Sequence, residues 1–478
     1  MDEIIFSLEP GGARPVFLEL SEALIAAITA GRLRPGQRLP GTRALARTLG
    51  LNRNTVDAAY QEAVLQGWLE ARASSGTYVA RDLPDGTAPS GGTAKNAPVA
   101  AAKVRTAQPR LSFSDGAPDV RLLPVAEIAR ALRRVLRGPD LRASGAYGDP
   151  RGAQALREQL AQHLAAQRGL AIDADDVLVT RGSQMALFLA ARCLAAQGAA
   201  IAMEEPGYPL AAAAFRAAGL RVVGVPVDES GLSLTALEQT VTTDPSLRAV
   251  YVTPHHQYPT TVTLGATRRV ALLDLARRHD FTIIEDDYDH DYRYDGRPVL
   301  PLGARAGGDV RLVYVGSLSK LLAPGLRLGY AVAPPELLGP MAELRQAIER
   351  QGDLPLELAV AALMREGDLW RHLRKSRRIY EDRRDALCDL LRARLGDRLA
   401  FTKPVGGLAL WARLGQGQDA GRWSAAAAAQ GLAVTPASAF CLHGETAPQA
   451  FRLGFAGLDG REMAEAVDLL ARASEEVR

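Results

Sequence analysis

Residues 82–110, DLPDGTAPSGGTAKNAPVAAAKVRTAQPR, are rich in Pro, Gly, Ala and Thr and almost free of large apolar residues. They show neither helical nor strand periodicity, and such a segment cannot bury a core of its own. This break constrains the fold more than any other feature. It predicts a flexible linker between a small unit, residues 1–81, and a large one, residues 111–478. At 478 residues and 47% hydrophobic composition, the chain has enough apolar material for both.

The small unit reads as helical, then extended. VFLELSEALIAAITAGRL carries apolar residues at helical spacing and stops at Gly31. TRALARTLGL ends at Gly50, and RNTVDAAYQEAVLQGWL follows Asn52, a good N-cap. LEARASSGTYVA then reads as two short strands about a Ser-Ser-Gly turn. Three helices and a hairpin is the order of a winged helix-turn-helix. Six arginines (Arg32, Arg34, Arg38, Arg43, Arg47 and Arg53) fall between Gly31 and Thr55 with no acidic residue among them. The formal net charge of the chain is only +3, so nucleic-acid binding has to come from this local face. The alternative is an ordinary solvated face.

The large unit alternates short apolar strands with helices. Strands are predicted at 176–180, 199–203, 221–227, 249–254, 281–287 and 311–317. Helical stretches such as QMALFLAARCLAAQG and RRVALLDLARRHD lie between them. This is βαβ logic and predicts a mainly parallel sheet. After Pro334 a long helical region leads into a mixed C-terminal subdomain. No apolar run approaches the ~18 residues of a membrane helix. Cys193, Cys388 and Cys441 form no disulfide framework or metal pattern. A soluble cytoplasmic protein with no membrane partner is expected.

Within this unit GSLSKLLAPGLRLG, residues 316–329, sets Ser317, Ser319, Lys320 and Arg327 on an apolar background. A lysine can condense with a carbonyl, and hydroxyls with a guanidinium can hold a phosphate. Pyridoxal 5′-phosphate has both groups and also needs an acid at its pyridine nitrogen. FTIIEDDYDHDY runs a strand into Glu285, Asp286, Asp287 and Tyr288, at the carboxyl edge where open α/β sheets bind ligands. VLVTRGSQMALFLAARCL places Gly182, Ser183 and Gln184 between a strand and a helix, a second anion cradle. The acidic cluster with His290 is compatible with a metal too, but the other motifs ask for phosphate and aldehyde, so no metal is expected.

Two resemblances join these readings. GRLRPGQRLPGTRALARTLGLNRNTVDAAYQEAVLQGWLEARASSGTYVA resembles the GntR-type winged helix-turn-helix. That resemblance implies that Arg43, Arg53, Asn54, Thr55 and Gly76 touch double-stranded DNA. Gly41 stands where the family often has a capping Ser. From Leu111 onward, YGDPRGAQALREQLAQHLAAQRGL, TRGSQ, EEPGYP, SLSKLLAPGLRLGY and FRLGF resemble the fold-type I aminotransferases. This implies an α/β pyridoxal-phosphate-dependent transferase fold with a small C-terminal α+β subdomain. It implies that Lys320 carries the cofactor as a Schiff base and that Asp286 pairs with the pyridine nitrogen, Asp287 being one residue away. Tyr288 would hydrogen-bond the phenolic oxygen. Ser183, Gln184, Ser317, Ser319 and Arg327 would surround the phosphate, with Tyr208 on the pocket wall. Tyr147 would reach the cofactor of the neighbouring subunit of a homodimer, and Arg452 would take a carboxylate of the substrate or effector.

TPHHQYPTT (253–261) replaces the common N-P-T-G segment, leaving His256 and Gln257 for the usual Asn and Thr261 for the Gly. Ala409, in GGLALW, stands where many relatives have His. Both departures fall on the substrate side. A GntR-type reader fused to an aminotransferase-like unit resembles the MocR subfamily of transcription regulators. The resemblance implies a homodimer that senses a small amino compound or the coenzyme itself. The alternative from another class is an active aminotransferase carrying a DNA-binding module.

Overall fold

The computed structural model describes residues 15–72, 75–83, 109–113, 116–139, 147–296, 299–442 and 447–477. The chain divides into two units, Met1–Thr106 and Ala107–Arg478. The expected linker falls almost wholly on residues 84–108, outside the described residues.

The N-terminal unit has three helices, α1 (Val16–Thr29), α2 (Thr42–Leu49) and α3 (Arg53–Leu65). An antiparallel pair, β1 (Leu69–Arg72) and β2 (Gly76–Val79), follows them. Leu20, Leu24, Ala27 and Ile28 share one side of α1 and pack with Val56, Ala59, Tyr60 and Ala63 of α3 in a buried cluster. α2 stops at Gly50, which takes a left-handed conformation (φ 66°) that a side chain would disfavour. α3 starts on Asn52, whose side chain accepts the Asn54 N–H at 2.9 Å. No side chain caps α2 at Gly41. The approach to α2 is tied to α3, because Tyr60 Oη donates to the Pro40 carbonyl at 2.9 Å.

In the second unit β3 (Leu111–Ser112) is followed by β4 (Val177–Thr180), β5 (Ala200–Glu205), β6 (Arg221–Asp228) and β7 (Gly231–Leu232). Next come β8 (Leu247–Val252), β9 (Thr282–Asp287), β10 (Leu312–Ser317) and β11 (Gly329–Val332). Strands β4 to β11 form one eight-stranded sheet in the order β4-β11-β10-β9-β8-β5-β6-β7. From β10 to β6 the neighbours run parallel, as the βαβ pattern predicts. β4, β8 and β9 are buried almost throughout, which is why they read as continuous apolar runs.

Two strands of this sheet escaped the sequence reading, the two-residue β7 and β11. β11 is antiparallel to both β10 and β4. GYAV is short and only a single 3₁₀ turn, Pro324–Leu326, separates it from β10, so the alternation of strand and α-helix gives it no signal.

Helices Pro335–Glu349, Leu354–Arg365 and Asp368–Leu395 follow the sheet. The small C-terminal subdomain then has an antiparallel sheet with β12 (Leu399–Phe401), β13 (Ala409–Leu414), β15 (Thr435–Pro436) and β16 (Ala450–Gly454), in the order β12-β13-β16-β15. β14 (Leu432–Ala433) pairs in parallel with β3, joining this subdomain to the first residues of the unit.

Candidate cofactor pocket and DNA-facing surface

A pocket lies beyond the carboxyl ends of β8, β9 and β10. Its wall includes Lys320, Asp286, Tyr288, Ser183, Ser317 and Tyr208, all singled out from the sequence, and also Tyr251 and Tyr258, which were not.

Strand alternation separates the two adjacent aspartates. Asp286 lines the pocket, and its Oδ2 accepts the Tyr251 hydroxyl at 2.9 Å. Its Oδ1 is buried and has no hydrogen-bond partner among the described residues. Burial pushes this carboxyl up to about 7, against the pull of Tyr251 and Lys320. Asp287 turns the other way and accepts the Tyr314 hydroxyl at 2.5 Å. Burial opposes its charge too, but His290, His255 and Arg168 outweigh it and hold the carboxyl well below the usual range. Glu285 shares that rear face and accepts the backbone N–H groups of Leu302 and Gly303 at 2.8 and 3.0 Å. Tyr251 lies opposite Ile284 in the β8–β9 register, which puts it on the Asp286 face. The register of neighbouring strands was the signal for Tyr251; a strand tyrosine alone is not distinctive.

The lysine segment leaves β10 at Ser317 and returns at Gly329, and these two residues pair across β10 and β11. Lys320 Nζ donates to the Gly116 carbonyl at 3.0 Å. Gly182 has φ 74° and begins helix Ser183–Leu194, whose free N–H groups favour an anion. A Cβ on Gly329 would come within 2.6 Å of the Gly182 carbonyl carbon. Only glycine lets β11 lie this close to the anion turn. A Cβ on Gly182 would in turn lie 3.2 Å from the Arg327 guanidinium.

Four expected cofactor residues do not line the pocket. Arg327 stands beside Gly182, and its Nη2 donates to the Arg181 carbonyl at 2.9 Å. The Gln184 amide is turned away and donates to the Leu210 carbonyl at 2.6 Å. Ser319 joins the lysine turn by its backbone N–H, which donates to Ser317 Oγ at 3.2 Å. Tyr147 is 68% exposed, with the Arg350 guanidinium 3.7 Å above its ring, away from the pocket of its own chain.

The substrate side is aromatic. Tyr258 packs edge-on against Tyr208 (5.0 Å between centroids) and Tyr288 (5.9 Å). Arg452, buried on β16, lies 4.3 Å above the Tyr258 ring and donates to the Pro259 carbonyl at 2.8 Å. Tyr288 Oη donates to the His256 carbonyl at 2.9 Å. The residues left in place of the usual Asn do other work. His256 Nδ1 meets Asp289 at 2.8 Å, and Gln257 Nε2 donates to the Pro206 carbonyl at 2.9 Å. Thr261 has φ 63°, which explains a glycine at this position, since a β-branched residue is strained there. Ala409 is buried on β13 opposite Gly454.

On the N-terminal unit, Arg43, Arg53, Asn54 and Gly76 are exposed and Thr55 is half-buried. Arg53, Asn54 and Thr55 form the first turn of α3. Arg32, Arg34, Arg38 and Arg47 are exposed as well, and none of the six arginines makes an ion pair among the described residues. Gly76 has φ 111°, and a Cβ there would lie 3.4 Å from Arg38 Nε. The turn and this arginine therefore share one surface.

Comparison with known proteins agrees with both units. Residues 18–79 match the family of bacterial regulatory proteins, gntR family. Residues 110–470 match aminotransferase class I and II. The "Probable rhizopine catabolism regulatory protein MocR" of Rhizobium meliloti is 35% identical over 96% of this chain and 94% of its own. The "HTH-type transcriptional regulator TauR" of Rhodobacter capsulatus is 31% identical over 98% of each chain. Among solved structures, Pyrococcus horikoshii kynurenine aminotransferase, crystallised with PMP, matches with a TM-score of 0.71 at 29% identity. That match covers 77% of this chain and 91% of the enzyme.

Proposed function

The chain belongs to the MocR-type GntR regulators, and from that membership together with the pocket we propose that it regulates transcription by sensing an amino compound through pyridoxal 5′-phosphate. The observation that carries the reading is one juxtaposition. Lys320 and the buried Asp286, whose Oδ1 has no hydrogen-bond partner among the described residues, line a single pocket, on a chain whose first unit matches the gntR family. An acid orphaned by burial fits a group that brings a protonated ring nitrogen to it.

When bound, the coenzyme supplies an aldehyde carbon that amines attack and a ring that accepts electron density. Asp286 would hold the proton on the ring nitrogen, its charge restored by the cation it meets. Lys320 would present its amine to the aldehyde. Ser183, Ser317 and the N–H groups opening helix Ser183–Leu194 would hold the phosphate, with the Arg327 guanidinium beside the Gly182 turn. The Tyr288 hydroxyl would orient the ring's phenolic oxygen. Arg452 would receive a carboxylate of the effector, with Tyr258 and Tyr208 excluding water around it.

In this reading an effector amine would compete with the Lys320 amine for the coenzyme's aldehyde. A response at the DNA follows only if the effector binds two arrangements of the protein unequally. The chain works as a homodimer, so that two readers engage two half-sites. Tyr147 serves the neighbouring pocket.

The test follows the visible absorbance of the full-length protein and its binding to DNA from upstream of its own gene, while amino compounds are titrated in. One compound should shift both together. Lys320→Ala should lose the coenzyme band and the response to the compound, but keep binding DNA. A colourless parent, or a response unchanged in Lys320→Ala, refutes the proposal. Repeated turnover with a 2-oxo acid at enzyme-like rates would favour the aminotransferase reading.

A further inference from the structure

The rear face of β9 holds a second cluster, separate from the pocket. His255, Asp287 and His290 are buried there, at 2%, 6% and 5% exposure. One ligand atom from each lies within 4.8 Å of the other two. The histidine rings sit 3.8 Å apart between centroids, inclined at 55°.

The cluster is not closed by well-formed hydrogen bonds: its shortest approach, His290 Nδ1 to Asp287 Oδ2 at 3.3 Å, lies outside hydrogen-bond geometry. Asp287 Oδ2 is held by Tyr314 Oη and lies 3.7 Å from Arg168 Nε. Its Oδ1 has no hydrogen-bond partner among the described residues, and neither ring nitrogen of His255 or of His290 has one. The nearest approach of His255 to Asp287 is 3.8 Å, too long for a hydrogen bond. Native folds rarely leave so many buried polar atoms unmet within one small volume.

We propose that His255, Asp287 and His290 bind one divalent late transition metal ion of the zinc class. Two imidazole nitrogens and one carboxylate oxygen are the donor set such ions take. Tyr314 holds the other carboxylate oxygen, with His290 Nδ1 at 3.3 Å and the Arg168 charge at 3.7 Å beside it, leaving Oδ1 for the ion, as groups behind a metal ligand commonly do. The local charge permits it. Arg168 donates to Asp291 at 2.7 Å, and the second nearby guanidinium, Arg269, faces Glu285 as well as Asp287.

The sequence cluster EDDYDHD set a metal against a coenzyme as rivals. Alternation along β9 removes the rivalry, since Asp286 turns to one face and Asp287 to the other. The ion site does not rest on the regulatory reading and stands or falls separately.

The test uses the untagged full-length chain, purified from cells grown with added zinc, with its metal content measured by mass spectrometry. About one ion per chain is expected. The double variant His255→Ser/His290→Ser should hold less than about a tenth of that, and its retained coenzyme band would show that it is folded. The parent alone gives a second measurement. Unfolded, stripped with a chelator and refolded with Co²⁺, it should gain visible d–d absorption and a higher unfolding temperature. A parent that comes out metal-free and refolds with the same stability with or without Zn²⁺ or Co²⁺ overturns the proposal, leaving ordered water as the partner. A double variant that keeps the ion also overturns it.

Discussion

Asp286 and Asp287 are adjacent and chemically identical, yet the strand gives them opposite surroundings. Asp286→Ala should weaken coenzyme binding by about tenfold or more, read by spectrophotometric titration. Asp287→Asn should lower the unfolding temperature first, because it disturbs the Tyr314 and Arg168 contacts behind the sheet. Glu204 gives a pH prediction. It is buried, and its Oε2 accepts the Thr253 hydroxyl and N–H at 2.6 and 3.0 Å. Burial pushes its carboxyl from 4.5 up to about 7. A raised carboxyl favours the protonated folded state, so its contribution is full below pH 4.5 and is lost as pH rises through 7. Glu204→Gln keeps an acceptor without the titration. The variant should unfold at a higher temperature than the parent above pH 7, with the gap closing towards pH 4.5. At this scale the sequence was most legible where spacing carries chemistry. Lys320, Asp286, Tyr288, Ser183, Ser317 and Tyr208 all line the pocket. It was least legible where a side chain has a choice of direction, as at Gln184 and Ser319. It was silent at Tyr251, whose part depends on a neighbouring strand.

Among the elements, the contact between β11 and the Gly182 turn is the most exacting. Gly329→Ala would force the lysine strand away from the N-terminus of helix Ser183–Leu194. Coenzyme affinity should drop by about tenfold or more, with DNA affinity in the absence of effector unchanged; titration of both ligands checks it. Helix α3 makes a separate prediction. Arg53→Ala should weaken binding to all DNA sequences and reduce the slope of log affinity against log salt by about one if the arginine meets a phosphate. A loss confined to one base position would instead mark a base contact. The six predicted strands of the large sheet are all present within two or three residues, because buried parallel strands are continuous apolar runs. β11 was missed because the lysine motif absorbed it.

At the scale of the whole molecule, the two units have separate hydrophobic cores. The N-terminal cluster draws only on residues 17–83, and the clusters of the larger unit begin at Leu111. A fragment from residue 107 onward should therefore keep the coenzyme band while losing operator binding, which absorbance and a mobility shift would show. In the proposed homodimer two readers gain by effective concentration. Scrambling one half-site should thus cost about 10²-fold or more in affinity. The break at 82–110 made this two-part organisation readable before any motif was weighed.

The pairing of Ser317 with Gly329 ties the lysine segment at both ends to one sheet. The backbone around Lys320 is therefore moored on both sides. In the proposed reading a displaced amine would stay within a short swing of the pocket, and its return would need only departure of the competitor.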